Sequence, residues 1–199
     1  MHLILALFPF LLAVPDIQLT VDRVQESVKV ALLGEDGLMD SCVKSGYTMR
    51  YNYENQICKK RFLWSDDCQS RRRAKHLLSY DPISSKYKLE TDFLDDSEPV
   101  VVNYYESAEI ARDAISSFDG IPLDYIAHGD RSYFSEEDIY IRSRVTSECL
   151  GAHSKTLGYI SYYLTFGLYN ISGFDTGWVD FDIKPIVPKE DNSEIEEQQ

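Results

Sequence analysis

Two blocks of cations are the residues of this chain whose types and spacing most invite chemistry. Lys59, Lys60 and Arg61 precede the turn-forming Ser65-Asp66-Asp67, and Arg71, Arg72, Arg73 and Lys75 follow it. With a turn centred near Ser65-Asp66, residues 58–61 face 70–73 and the cations crowd together. Like charges opposed across a hairpin are unfavourable unless an anion or carboxylates intervene. Arg142 and Arg144 share a strand face with Tyr140 and could join them. Such a surface would bind an anion: a lipid headgroup, a polyanionic glycan or an acidic partner. The plainer alternative is a solvated strand face neutralised by some of the 33 acidic residues. Trp64 at the turn and Trp178 on the last strand are candidate partner anchors, or caps on the end of a core.

Catalytic patterns are scarce. His128-Gly129-Asp130, with Ser132 nearby, sets an imidazole beside a carboxylate, the minimum for an envelope hydrolase. A Ser/His/Asp hydrolase also needs its nucleophile on a strained turn such as G-x-S-x-G, and the sequence has none. There is no Gly-rich phosphate loop, no H-E-x-x-H and no EF-hand spacing. Cys42, Cys58, Cys68 and Cys149 form no C-x-x-C, and His76 and His153 make no paired ligand set with them. No metal site, catalytic site or cofactor is expected.

The elements that must position these groups are mostly strands. Tyr47, Met49, Tyr51 and Tyr53 share one face, and Thr48, Arg50, Asn52 and Glu54 the other, the period of a half-buried strand. Asp81-Pro82 turns the chain before a third arm over Lys86 to Leu89. Earlier, residues 17–21 and 28–32 alternate around a tight turn at 24–27 and read as a hairpin. Leu38 to Lys44 reads as a short helix, with Asp36 as N-cap and Gly46 at its stop. The clearest helix runs from Tyr105 to Phe118, striped by Ala108, Ala111, Ile115 and Phe118, capped by Ser107 and closed by Gly120 and Pro122. Ile139, Ile141 and Val145 mark a long strand, and Phe174 to Ile183 a final one; residues 151–173 resist assignment. The expected fold is mainly β, a β-rich α+β domain of antiparallel, sandwich-like sheets with one well-defined helix.

Composition places this fold. The chain has 199 residues, enough for one domain, here 15–186. Its formal net charge is −13, and the last ten residues hold five carboxylates of an acidic tail over 187–199 that reads as disordered. That balance repels phosphate backbones and argues against nucleic acid as a partner. Leu3 to Val14 is an unbroken apolar run, too short to span a bilayer and suited to a signal-peptide core, so residues 1–14 read as an export leader. Membrane association would then be peripheral, or through an uncleaved leader. In an exported chain four cysteines allow three pairings; Cys58 and Cys68 flank the first hairpin turn and are the cheapest pair, which leaves Cys42 with Cys149.

The segment VKSGYTMRYNY, the turn FLWSDD, the run RRRAKHLLSYDPISSKYKL, the helix YYESAEIARDAI, the strand DIYIRSRV and the ending FDTGWVDFDI follow one another across most of residues 17–183. In order and spacing they resemble the bacterial domain-of-unknown-function family 4390, small exported envelope proteins. The resemblance implies a leader, an all-antiparallel sheet and an envelope location, and it implies no enzyme, cofactor or defined site. The cysteines and the acidic tail lie outside that pattern. The function expected is therefore a periplasmic or otherwise exported, non-catalytic binding domain. Its expected partner is an envelope protein met by a sheet edge or by the Lys/Arg-rich hairpin; the alternative is the His128/Asp130 hydrolase.

Overall fold

The computed structural model describes residues 15–22, 25–34, 38–63, 65–95, 99–129, 138–150, 169–170 and 173–183. The expected leader, Asp36, Trp64, Asp130, Ser132, His153 and the acidic tail lie outside the described residues.

The chain is mainly β, built as two antiparallel sheets over one core. β1 (Asp16–Asp22) and β2 (Ser27–Leu33) form the expected hairpin, and β8 (Ser117–Pro122) pairs the far side of β2. The large sheet takes β3 (Thr48–Lys59), β4 (Asp67–Cys68), β5 (Arg72–Asp81), β6 (Lys86–Phe93), β7 (Val101–Tyr105), β9 (Ile139–Leu150) and β12 (Val179–Asp182). Its order is β12-β9-β3-β5-β6-β7, with β4 added beside the end of β3. Two short strands, β10 (Tyr169–Asn170) and β11 (Gly173–Phe174), pair with each other, and β11 packs on β9.

Alternation decides the faces. Along β3 the odd positions Met49, Tyr51, Tyr53, Asn55 and Ile57 are buried and the even positions up to Gln56 are half-exposed, as the tyrosine period demands. Val28, Val30 and Leu32 of the small sheet meet Met49, Tyr51, Leu78, Ile141 and Val145 of the large one in a single apolar core. Burial of that inner surface, at roughly 25 cal/mol per Å² of apolar area, is the main force holding the sheets together.

Helix α1 (Leu38–Lys44) forms where the sequence places it and stops at Gly46, whose φ of +79° only glycine adopts freely. It packs on β3 and β5 and is bolted to β9 by the Cys42–Cys149 disulfide; Cys58 and Cys68 form the second. Both pairings are the ones favoured from the sequence. Two disulfides with no free cysteine among the four indicate folding in an oxidising, exported environment. No helix among the described residues is long and apolar enough to cross a membrane.

Helix α2 (Ala108–Ser116) is shorter than the expected 105–118. Ser107 caps its start, its Oγ accepting from the Ile110 N–H at 3.2 Å, and Ala111 and Ile115 are buried. Its end differs, because the chain leaves the helix at Ser117 in an extended conformation and becomes β8. Phe118 opposes Val30 and Ile121 opposes Val28, so two residues bulge out against one, and Gly120 at φ +76° makes that bulge instead of stopping a helix. Pro122 leads into a single further turn, α3 (Leu123–Ile126). The final strand is also shorter: Asp175-Thr176-Gly177, with Gly177 at φ +68°, breaks 174–183 into β11 and β12.

Candidate functional site

The hairpin that carries the cations has a different register from the one the turn residues suggest. Cys58 opposes Cys68 and Lys59 opposes Asp67, while Glu54 opposes Arg73, Asn55 opposes Arg72 and Asn52 opposes Lys75. The loop therefore centres on Leu63, and residues 58–61 do not face 70–73. The disulfide explains the shift. Joining Cys58 to Cys68 across the strands pins β4 beside β3, with the Gln69 N–H donating to the Ile57 carbonyl at 2.9 Å.

With that register the cations meet carboxylates instead of each other. Lys60 pairs with Asp182, Arg61 with Asp67, Arg71 with Glu54 at 3.5 Å, Arg73 with Asp95 at 2.8 Å and Lys75 with Asp92 at 2.9 Å. Arg142 forks onto both Asp180 oxygens at 2.7 and 3.0 Å, and Arg144 forks onto Asp175. Arg72 turns inward, donating to the Tyr125 carbonyl at 2.8 Å and the Asp95 carbonyl at 2.9 Å, with its guanidinium over the Tyr125 ring. Arg50 with Glu148, and Asn52 with Thr146 at 3.2 Å, continue the pattern. The outer face of the large sheet is thus a lattice of alternating charge running from β12 to β6. Exposed pairs of this kind contribute about 0–1 kcal/mol each, so the lattice fixes register more than it adds stability. An incoming anion would have to displace a carboxylate from its guanidinium.

Among the described residues, Tyr140 is the one large side chain on this outer face that is fully covered, only 1% exposed. Lys60 and Arg142 stand 5.7 and 5.6 Å from its ring centroid, and its hydroxyl donates to Asp66 at 2.7 Å. Burial, helped by Asp66, pushes the phenol up to about 12. The same bond, with the Arg61 N–H, holds the Asp66 carboxyl below its ordinary value. Arg71 lies over the half-buried Trp178, which stands in the turn before β12 and not on a strand.

His128 closes α3 in a left-handed conformation, φ +54°, and its Nε2 lies 2.8 Å from the Ser70 carbonyl, tying that turn to the hairpin. His76 sits inside the core, edge-on to Tyr53 and Phe118 at 5.1 and 4.7 Å, and burial lowers it to about 4. Among the described residues no cluster of three His, Cys, Asp or Glu side chains is placed to hold a metal ion.

Besides single exposed side chains such as Ile83, two runs of neighbouring large apolar residues stand in solvent among the described residues. At the hairpin tip Phe62 is 98% and Leu63 78% exposed. At the end of the large sheet β7 exposes Val101, Val102 and Tyr104 by 48, 41 and 55%. Among the described residues no strand pairs the outer edge of β7. The place of β7 at the end of the sheet was not legible in the sequence, since it depends on β9 pairing with β3 and not with β7. Phe62 and Leu63 were hidden by the assumption that Ser65-Asp66 formed the turn. No family model, curated protein or solved structure matches this chain.

Proposed function

We propose that this protein is an exported, non-catalytic adaptor of the bacterial envelope that holds a partner protein by strand addition at β7. The observation that carries the reading is the composition of the sheet ends. Strands at an edge present unpaired N–H and C=O groups, and proteins blunt such edges with charge, proline or bulges. β1 carries Asp16 and Asp22, β8 carries Asp119 and Pro122, and β12 carries Asp180 and Asp182. β7, Val-Val-Asn-Tyr-Tyr, carries no charge and no proline and is open to solvent. An extended partner segment would extend the ladder from β6 through β7, with its side chains meeting Val102 and Tyr104 on one face.

Export is supported by the two disulfides and by the apolar run 3–14; the bacterial envelope is supported by the resemblance to domain-of-unknown-function family 4390. The test uses a photo-crosslinker at Tyr104 in the cells that make the protein. It should capture a partner protein, and Val102→Lys and Asn103→Pro should each lower the yield at least tenfold. Undiminished capture by both variants would refute strand addition.

A further inference from the structure

We infer that the tip of the β3–β4 hairpin, Phe62-Leu63, is a bilayer contact that rests in the headgroup region of a zwitterionic membrane. Two consecutive large apolar side chains stand in solvent, 98 and 78% exposed, on a convex projection. A convex apolar tip needs a matching cavity in a protein partner, whereas a fluid lipid interface closes around any shape and removes the same apolar area from water.

The collar behind the tip decides which lipid. Lys60, Arg61 and Arg142 stand there with Asp66, Asp67, Asp180 and Asp182, and they are engaged pairwise: Lys60 with Asp182, Arg61 with Asp67, Arg142 with Asp180, and Asp66 under the Tyr140 hydroxyl. This collar offers both signs in alternation and no cationic field. A collar whose charges are already paired with each other adds no net attraction of either sign, which suits a surface without net charge. An anionic surface would gain nothing from such a collar and would repel a chain of net charge −13. The edge strand of the proposed function lies three strands from β3 across the sheet, so tip and edge can be engaged together.

The test must ignore the apolar run 3–14, which would itself partition into lipid, so the readout is local to the tip. p-Benzoylphenylalanine is placed at position 62 of the full chain, and in a second protein at position 83. Ile83 is 95% exposed in the β5–β6 turn, at the opposite end of the sheet. Each is irradiated on phosphatidylcholine vesicles and the lipid adduct is measured by mass. The expected result is at least tenfold more adduct at 62 than at 83, reduced at least fivefold by Leu63→Ser in a chain with an unchanged circular dichroism spectrum. Equal adduct at the two positions overturns the inference. So does an adduct at 62 that Leu63→Ser leaves unchanged, or labelling in cells that goes to a protein and not to lipid.

Discussion

The Tyr140 hydroxyl donates to Asp66 at 2.7 Å, fastening β9 to the loop that projects Phe62 and Leu63. The raised phenol gives this bond a pH signature. In the unfolded chain Tyr140 titrates near 10 and in the folded one near 12, so its contribution is complete below pH 10 and is lost as pH rises through about 12. Tyr140→Phe should therefore unfold at lower urea than wild type at pH 8, and the gap should close between pH 10 and 12. Urea midpoints across that range check it, and a gap independent of pH would contradict it.

His76 gives the opposite slope. Its folded value of about 4 lies below the ordinary 6.5, so the neutral ring stabilises the fold above pH 6.5, and that stability is lost as pH falls through about 4. The loss is on the order of 3 kcal/mol by linkage. Asp40, Asp66, Asp81, Asp95 and Asp175 are all held below 3.8, so their losses begin lower and the two windows separate. His76→Phe, which keeps the ring contacts to Tyr53 and Phe118, should flatten the stability curve between pH 6.5 and 4. Guanidinium unfolding at half-unit pH steps measures it.

The disulfides should rank by the loops they close. Cys42–Cys149 spans 107 residues and Cys58–Cys68 spans 10, so chain entropy assigns them about 4.8 and about 2.8 kcal/mol. The Cys42→Ala/Cys149→Ala protein should lose more thermal stability than Cys58→Ala/Cys68→Ala. The second pair should instead change the tip, because it pins β4 and with it the loop register. Calorimetry ranks the two, and exchange of the Gln69 amide with solvent reports the register.

Gly173 allows β11 to lie against β9. A Cβ there would fall 1.8 Å from the Ser147 carbonyl oxygen, a backbone atom that cannot yield without moving the strand. Gly173→Ala should cost at least about 2 kcal/mol, including the bond from the Phe174 N–H to Ser147 Oγ at 2.8 Å. A melting curve indistinguishable from wild type would contradict this close approach.

Period-two patterning made much of the sheet readable in advance. Met49, Tyr51 and Tyr53 are buried as their spacing requires, and Val179 and Phe181 of β12 pack on the core with Ile183 just beyond it. What the pattern could not give was register. Moving the hairpin centre from Ser65-Asp66 to Leu63 converts a crowd of like charges into ion pairs, and only the Cys58–Cys68 bond and distant carboxylates such as Asp182 of β12, Asp92 of β6 and Asp95 determine that. Helix α2 was read two residues long at its end because Phe118 continues the stripe of Ile115; pairing with Val30 draws it into a strand instead. Edge exposure is a property of the sheet order, which no local window contains.

Strand addition at β7 is tested most directly by amide hydrogen exchange on the complex with the partner captured at Tyr104. Outward amides within Val101–Tyr105 should slow at least tenfold on binding while those of Ile83, Ser84 and Ser85 in the β5–β6 turn keep their rates. Unchanged exchange along β7 in a saturated complex would contradict it.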